Sequence, residues 1–207
     1  MPPRLAALRL VAITDPALPA AELVTRARAL AAACPPGALL VQVRDKAAEG
    51  AALVTLVRAL VAAVRPHGAL LVVNDRLDVA LAAGADGVHL PEAGIPLADA
   101  RAIAGATRLV GTSRHSAAGA AEAARAGADL VQLGPIWATP SKAAYGAPLG
   151  PAELTAARAL LDAARSDACL VAVGGIDAAR AQLAREAGAH AVAAIRAAWA
   201  DAGLALR

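Results

Sequence analysis

Three copies of one short pattern, Gly84-Ala-Asp-Gly-Val-His-Leu90, Gly127-Ala-Asp-Leu-Val-Gln-Leu133 and Gly188-Ala-His-Ala-Val-Ala-Ala194, set out the architecture of this chain. Each follows a stretch with helical spacing and opens a run of strand character. Glycine suits the left-handed residue that ends a helix, and the next few residues turn the chain into a sheet. The pattern is structural punctuation at the start of strands, and the His190 that replaces its Asp is read as structural too. Working outward, short β-branched or Leu-rich runs fall at Leu8–Thr14, Ala38–Val43, Ala69–Val73, Gly87–Leu90, Arg108–Gly111, Asp129–Leu133, Cys169–Val173 and His190–Ile195. Between them lie Ala/Leu/Arg stretches of helical period, among them Ala21–Ala33, Ala51–Val64, Ala117–Ala126, Glu153–Ala164 and Ala178–Ala187.

Strands alternating with helices predict a parallel sheet with crossover helices, and a count of eight matches an α/β, single-domain (β/α)8 TIM barrel over residues 1–207. An open doubly wound sheet is the other arrangement the pattern allows. Continuous apolarity in the strands fits either, since both faces are buried. Hydrophobic residues make up 58% of the 207 residues and aromatics 1%, with no Phe, so the core is expected to be built from Ala, Val, Leu and Ile. Such small side chains favour close helix-on-sheet packing.

Mean hydropathy is +0.55, yet Arg, Asp or Glu interrupts the apolar segments before the roughly 20 residues that cross a bilayer. The opening MPPRLAALRLVAITD runs directly into a strand pattern without the three-part layout of a secretory signal. The chain is therefore expected to be soluble and cytoplasmic. Cys34 and Cys169 lie far apart, with no metal-ligand spacing or disulfide framework, and are expected to be buried small hydrophobes. A net charge of +3 with scattered arginines and few aromatics gives nucleic-acid binding little support.

Barrels of this class keep their chemistry at the C-terminal ends of the strands, and polar residues gather there. Strand two ends Gln42-Val-Arg44-Asp45-Lys46, and alternation predicts that Gln42, Arg44 and Lys46 point the same way, as an anion- and amide-reading set. Strand three ends Asn74-Asp75, where a carboxylate can hold a divalent cation or the pair can cap the helix before Leu77. Strand four ends with His89-Leu-Pro-Glu92, and strand five with Gly111-Thr-Ser113-Arg-His115-Ser116. His89 and His115 are each suited to proton transfer near neutral pH; alternatively Ser113 or Ser116 caps a helix and His115 is an incidental first-turn residue. In Leu130–Tyr145, LVQLGPIWATPSKAAY, strand six ends in Gly134-Pro135 and opens onto a loop carrying Thr139, Ser141 and Lys142, as an anionic phosphate ligand requires. Gly174-Gly175 after strand seven lets backbone N–H groups approach a phosphate, and Arg196 follows strand eight.

Six motifs in order, AITD (Ala12–Asp15), QVRDK (Gln42–Lys46), VNDRLDVALAAGADGVHL (Val73–Leu90), GTSRHS (Gly111–Ser116), GADLVQLGPIWATPSK (Gly127–Lys142) and AVGGI (Ala172–Ile176), are similar to those of the thiamine phosphate synthase family and its relatives the thiazole tautomerases. The resemblance runs over nearly the whole chain. It implies a (β/α)8 barrel joining 4-amino-5-hydroxymethyl-2-methylpyrimidine diphosphate to a thiazole phosphate or its carboxylate, with release of pyrophosphate. It implies that Gln42 reads the aminopyrimidine, with His89 among the groups around it. Arg44, Lys46, Asn74, Ser113 and Lys142 would hold the diphosphate, and Asp75 would bind Mg²⁺. Thr139, Ser141 and Gly175, with neighbouring amides such as Gly174, would hold the thiazole phosphate. The implied partners are small molecules, without nucleic acid or membrane, and self-association through Ala-rich helical faces is open.

Two positions depart from that family. The second Mg²⁺ carboxylate expected after strand four falls on Gly94, leaving Glu92 as its substitute, and a small Ser at the end of strand eight is replaced by Arg196. These departures keep two alternatives in view. One is a tautomerase using His115 as acid and base, with no metal; the other is a non-catalytic thiamine-pathway binding protein. Retention of Arg44, Lys46, Asn74, Asp75, Thr139, Ser141 and Lys142 favours the synthase.

Overall fold

The computed structural model describes residues 2–139 and 147–200. Its strands are β1 (Leu10–Ile13), β2 (Leu39–Val43), β3 (Leu70–Asn74), β4 (Gly87–Leu90), β5 (Leu109–Arg114), β6 (Leu130–Leu133), β7 (Cys169–Val173) and β8 (Ala191–Ala194). Each pairs in parallel with the next, and β8 pairs back onto β1, so the sheet closes into a barrel. Closure selects the (β/α)8 barrel over the open sheet. The helices α1 (Ala20–Ala33), α2 (Gly50–Val64), α3 (Leu77–Ala83), α4 (Leu97–Ala104), α5 (Ala117–Arg125), α6 (Pro151–Ala163), α7 (Ala178–Glu186) and α8 (Arg196–Ala200) alternate with the strands.

Strand alternation sorts the core into two shells. Outward residues such as Leu39, Val41, Leu71, Val73 and Val110 pack under the helices with Leu23, Leu30, Leu53 and Val57. Inward residues Val11, Leu40, Val72, Leu109, Leu130, Val171 and Ala193 fill the barrel, with Leu5 and Leu8 among them at the end where the strands begin. Small side chains set the packing distance, as α5 buries only alanines, at 117, 120, 121 and 123. The segment Gly50–His67 is, by length and composition, apolar enough to cross a membrane. In the structure it is α2 and the turn after it, with Leu53, Val57, Leu60 and Val64 buried in the outer shell.

The repeated pattern does one job three times. Gly84, Gly127 and Gly188 take φ of 70°, 89° and 102°, and the third residue of each copy then accepts a backbone N–H from a neighbouring strand. Asp86 accepts from Leu71 N at 3.0 Å, Asp129 from Val110 N at 2.8 Å and His190 Nδ1 from Leu170 N at 3.2 Å. His190 is thus structural, and its pKa is lowered, first by burial and then by the Arg158 guanidinium. Both cysteines are buried and free, and burial pushes the Cys169 thiol up to about 12.

Candidate active site at the barrel mouth

The barrel's filling changes from apolar to amide at its C-terminal end. Gln42 on β2 and Gln132 on β6 point inward and are 2% and 3% exposed. Gln132 Nε2 donates to Gln42 Oε1 at 2.5 Å, and Gln42 Nε2 donates to Asn74 Oδ1 at 3.2 Å. The three side chains form a directed chain of carboxamides across the mouth. Asn74 is therefore committed to the barrel interior and does not cap a helix; the residue before α3 is Arg76, with no side-chain capping bond. The family resemblance gave no role to Gln132. Its one sequence signal is an amide at an inward position of the apolar run Leu130–Leu133.

Beside this chain, His89 is 1% exposed and its Nε2 lies 2.9 Å from Ser113 Oγ. Ser113 reaches His89 because β5 continues to Arg114, beyond the expected end at Gly111. Thr112, Ser113 and Arg114 keep pairing with Val131, Gln132 and Leu133, so strand pairing overrides their polar character. Gly111 makes room for the imidazole, since a Cβ there would stand 2.9 Å from His89 Nδ1. Below lies a cavity of about 10 Å³ lined by His89, Gly111, Gln132 and apolar residues, so the barrel is packed directly beneath the amide layer.

Arg44 follows β2 with its backbone clamped by buried Thr14, whose Oγ1 accepts from Arg44 N at 2.8 Å and donates to Arg44 O at 3.2 Å. The expected alternation of Gln42, Arg44 and Lys46 does not carry through to Lys46. The strand stops at Val43 and Asp45 forms a turn, accepting from Ala47 N at 2.9 Å and Ala48 N at 3.1 Å, so exposed Lys46 lies outside the strand register.

Asp75 is exposed at the end of β3 with φ of 65°, unusual for a residue with a side chain, and its N–H donates to His89 O at 2.8 Å. Glu92 Oε2 is 2.8 Å from His115 Nδ1, a pairing that orients the imidazole and draws Glu92 toward β5. Ser116 Oγ accepts from Gly119 N at 3.0 Å and is the cap of α5, leaving Ser113 to the mouth. Gly94 closes a turn through its N–H to Pro91 O at 3.0 Å, and a Cβ there would lie 3.0 Å from Pro91 Cδ. That crowding is a local reason for glycine where a carboxylate was expected.

On the opposite rim, Gly174 and Gly175 adopt φ of 98° and 66°. A Cβ on Gly174 would come 2.7 Å from Pro135, and one on Gly175 would come 2.8 Å from Ala138 O and Trp137 Cβ. The two glycines let the turn after β7 lie directly against the segment after β6, joined by Trp137 N donating to Gly174 O at 3.1 Å. Arg180 fastens the same turn, donating from Nη1 to Gly175 O at 2.8 Å with its guanidinium 5.8 Å from the Trp137 ring centre. Sequence reading missed both Trp137 and Arg180. Half-buried Thr139 follows in this segment, and Arg196 is exposed at the first position of α8. Ser141 and Lys142 lie outside the described residues.

A mouth floored by carboxamides and an imidazole, with Arg44, Asp75 and a tight Gly-Gly turn on its rim, offers base-reading groups beside anion- and cation-binding ones. Residues 10–198 match the family model described as thiamine monophosphate synthase. The chain is 48% identical over 126 residues to a Geobacter sulfurreducens protein provisionally named thiamine-phosphate synthase, an overlap of 61% of this chain and 57% of that protein. It is 47% identical over 122 residues to the thiamine-phosphate synthase of Methanoculleus marisnigri, covering 59% of this chain and 56% of the relative. The chain thus spans little more than half the length of these curated relatives. Among solved structures, the thiamine phosphate pyrophosphorylase of Pyrococcus furiosus superposes with a TM-score of 0.80 at 28% identity, covering 97% of this chain and 95% of that one.

Proposed function

The chain belongs to the thiamine monophosphate synthase family, and from that premise we propose that it joins 4-amino-5-hydroxymethyl-2-methylpyrimidine diphosphate to a thiazole phosphate or its carboxylate, releasing pyrophosphate and, from the carboxylate, carbon dioxide as well. The observation that carries this reading is the carboxamide chain Gln132–Gln42–Asn74 at the floor of the mouth, next to Arg44 and Asp75. Buried carboxamides suit a heterocycle with both a donor and an acceptor on one edge. Cations and amide N–H groups suit a diphosphate, which only accepts.

In this reading Gln42 holds the aminopyrimidine, with His89 and Ser113 beside it. Arg44, Asn74 and Ser113 hold the diphosphate, together with Lys46 and Lys142 from the rim. The pyrimidine methylene–oxygen bond breaks, its electron pair leaves with pyrophosphate, and the 4-amino group stabilises the cationic carbon that the thiazole nitrogen then attacks. The protein's work is to hold the two substrates in line and to stabilise the charge building on the leaving group. Thr139, Ser141, Gly174, Gly175 and Arg196 hold the thiazole phosphate.

Among the described residues no three His, Cys, Asp or Glu side chains converge as a ready-made metal cage. The donor set of Asp75, with Glu92 as an auxiliary, fits a Mg²⁺ that arrives with the diphosphate, because Mg²⁺ is commonly held by one or two carboxylates plus phosphate oxygens. When bound, the ion would neutralise charge on the departing pyrophosphate. The same reading takes the chain as one barrel working on small molecules in the cytoplasm.

One observation favours a second reading. His115 held 2.8 Å from Glu92 is a carboxylate-oriented imidazole, the equipment for proton transfer in a thiazole tautomerase. Incubation with both substrates and Mg²⁺, followed chromatographically, separates the two. Accumulating thiamine phosphate is the expected result; isomerised thiazole without thiamine phosphate reverses the order.

A further inference from the structure

Resting on the aminopyrimidine role of Gln42 proposed above, we infer that Gln132 is a positioning residue that determines substrate specificity: its hydrogen bond to Gln42 Oε1 fixes which way round the Gln42 carboxamide meets the ring, selecting a 4-amino over a 4-oxo pyrimidine. A carboxamide has two N–H donors and two oxygen lone pairs. Gln132 Nε2 uses one lone pair of Gln42 at 2.5 Å, and Asn74 Oδ1 uses one N–H at 3.2 Å. One N–H and one lone pair remain. With the ring placed so that Gln42 Oε1 faces its 4-substituent and Nε2 its ring nitrogen, they complement a 4-aminopyrimidine, which presents an amino N–H and an unprotonated ring nitrogen. A 4-oxo ring presents the reverse, a carbonyl oxygen and a ring N–H.

Asn74 cannot set this direction, because its own amide can turn over with that of Gln42; terminal carboxamide torsions are broad and nearly two-fold. Gln132 can. At 3% exposure it closes the inner end of the chain. In the observed direction it spends an N–H on Gln42. Reversed, it would accept from Gln42 and keep both its N–H groups to place in a packed barrel, and buried donors are left unpaired more rarely than acceptors. The same direction occupies Asn74 Oδ1, so Asn74 offers N–H groups, the only polarity a diphosphate accepts.

The test measures calorimetric binding of 4-amino-5-hydroxymethyl-2-methylpyrimidine and its 4-oxo analogue, with Mg²⁺ and pyrophosphate present, to the wild type, Gln132→Met and Gln132→Glu. The wild type is expected to favour the amino ring by about tenfold or more. Gln132→Met, similar in size but without the donor, is expected to reduce that preference to about threefold or less. Gln132→Glu, when ionised, only accepts, which turns Gln42 round and inverts the preference; acidification, which restores a donor, should bring the amino preference back. A lost hydrogen bond that mattered only to folding would weaken both ligands alike. A wild type without preference, or a preference unchanged in folded Gln132→Met or in folded Gln132→Glu at a pH where the carboxyl is ionised, overturns the inference. Selective binding without thiamine phosphate formation would count against the proposed function and leave the role of Gln132 standing.

Discussion

Gly111 and His89 show how one missing methyl positions a side chain of the candidate site. Since a Cβ at Gly111 would lie 2.9 Å from His89 Nδ1, Gly111→Ala should displace the ring from Ser113. Overpacking of this kind costs about 1–3 kcal/mol, readable as a lower urea midpoint, with turnover falling further than stability. Asp75→Asn should leave the fold intact and remove most Mg²⁺-dependent activity; unchanged kinetics would undo its assignment. At this scale the sequence spoke where polarity broke an apolar run at a strand's end, as at Gln42, Asn74 and His89. It was silent where the meaning lay in a partner far along the chain. Nothing local says that Gln132 meets Gln42, 90 residues away, or that Asn74 bonds to Gln42 on the neighbouring strand instead of capping a helix. At Lys46 the limit is local, because the turn that Asp45 makes ends the alternation before it.

The elements were legible through their punctuation. The glycines that end helices before β4, β6 and β8 were visible as a repeat, and the function of the third residue in each copy emerged only with the hydrogen bonds. His190 makes that function pH-sensitive. Its Nδ1 must be unprotonated to accept from Leu170 N, and its lowered pKa means that the unfolded chain takes up a proton more readily than the folded one. Stability from this site is therefore full above the ordinary histidine pKa of about 6.5 and lost as pH falls toward the lower folded value. His190→Asp, which restores the acceptor of the other two copies, should flatten the urea midpoint between about pH 7.5 and about 5.5; an equally steep variant would place the sensitivity elsewhere. Ser116→Ala should cost about 1 kcal/mol by removing the cap of α5. Thr112, Ser113 and Arg114 look like a loop in isolation, while their pairing with β6 keeps them in the sheet and carries β5 past Gly111.

For the molecule as a whole, eight apolar runs alternating with helical stretches carried the architecture, because each strand buried on both faces demands helices outside and side chains within. Closure itself was not in the pattern, since an open parallel sheet reads the same until β8 is seen to pair with β1. The same closure assembles the candidate site, bringing residues from β2, β3, β4, β5 and β6 to one end. The most direct test of the proposed condensation is the rate of pyrophosphate release from the pyrimidine diphosphate, measured with and without the thiazole phosphate and with and without Mg²⁺. Release that needs both the second substrate and the ion, matched one for one by thiamine phosphate, is the predicted result. No release under any of the four conditions would contradict the synthase reading.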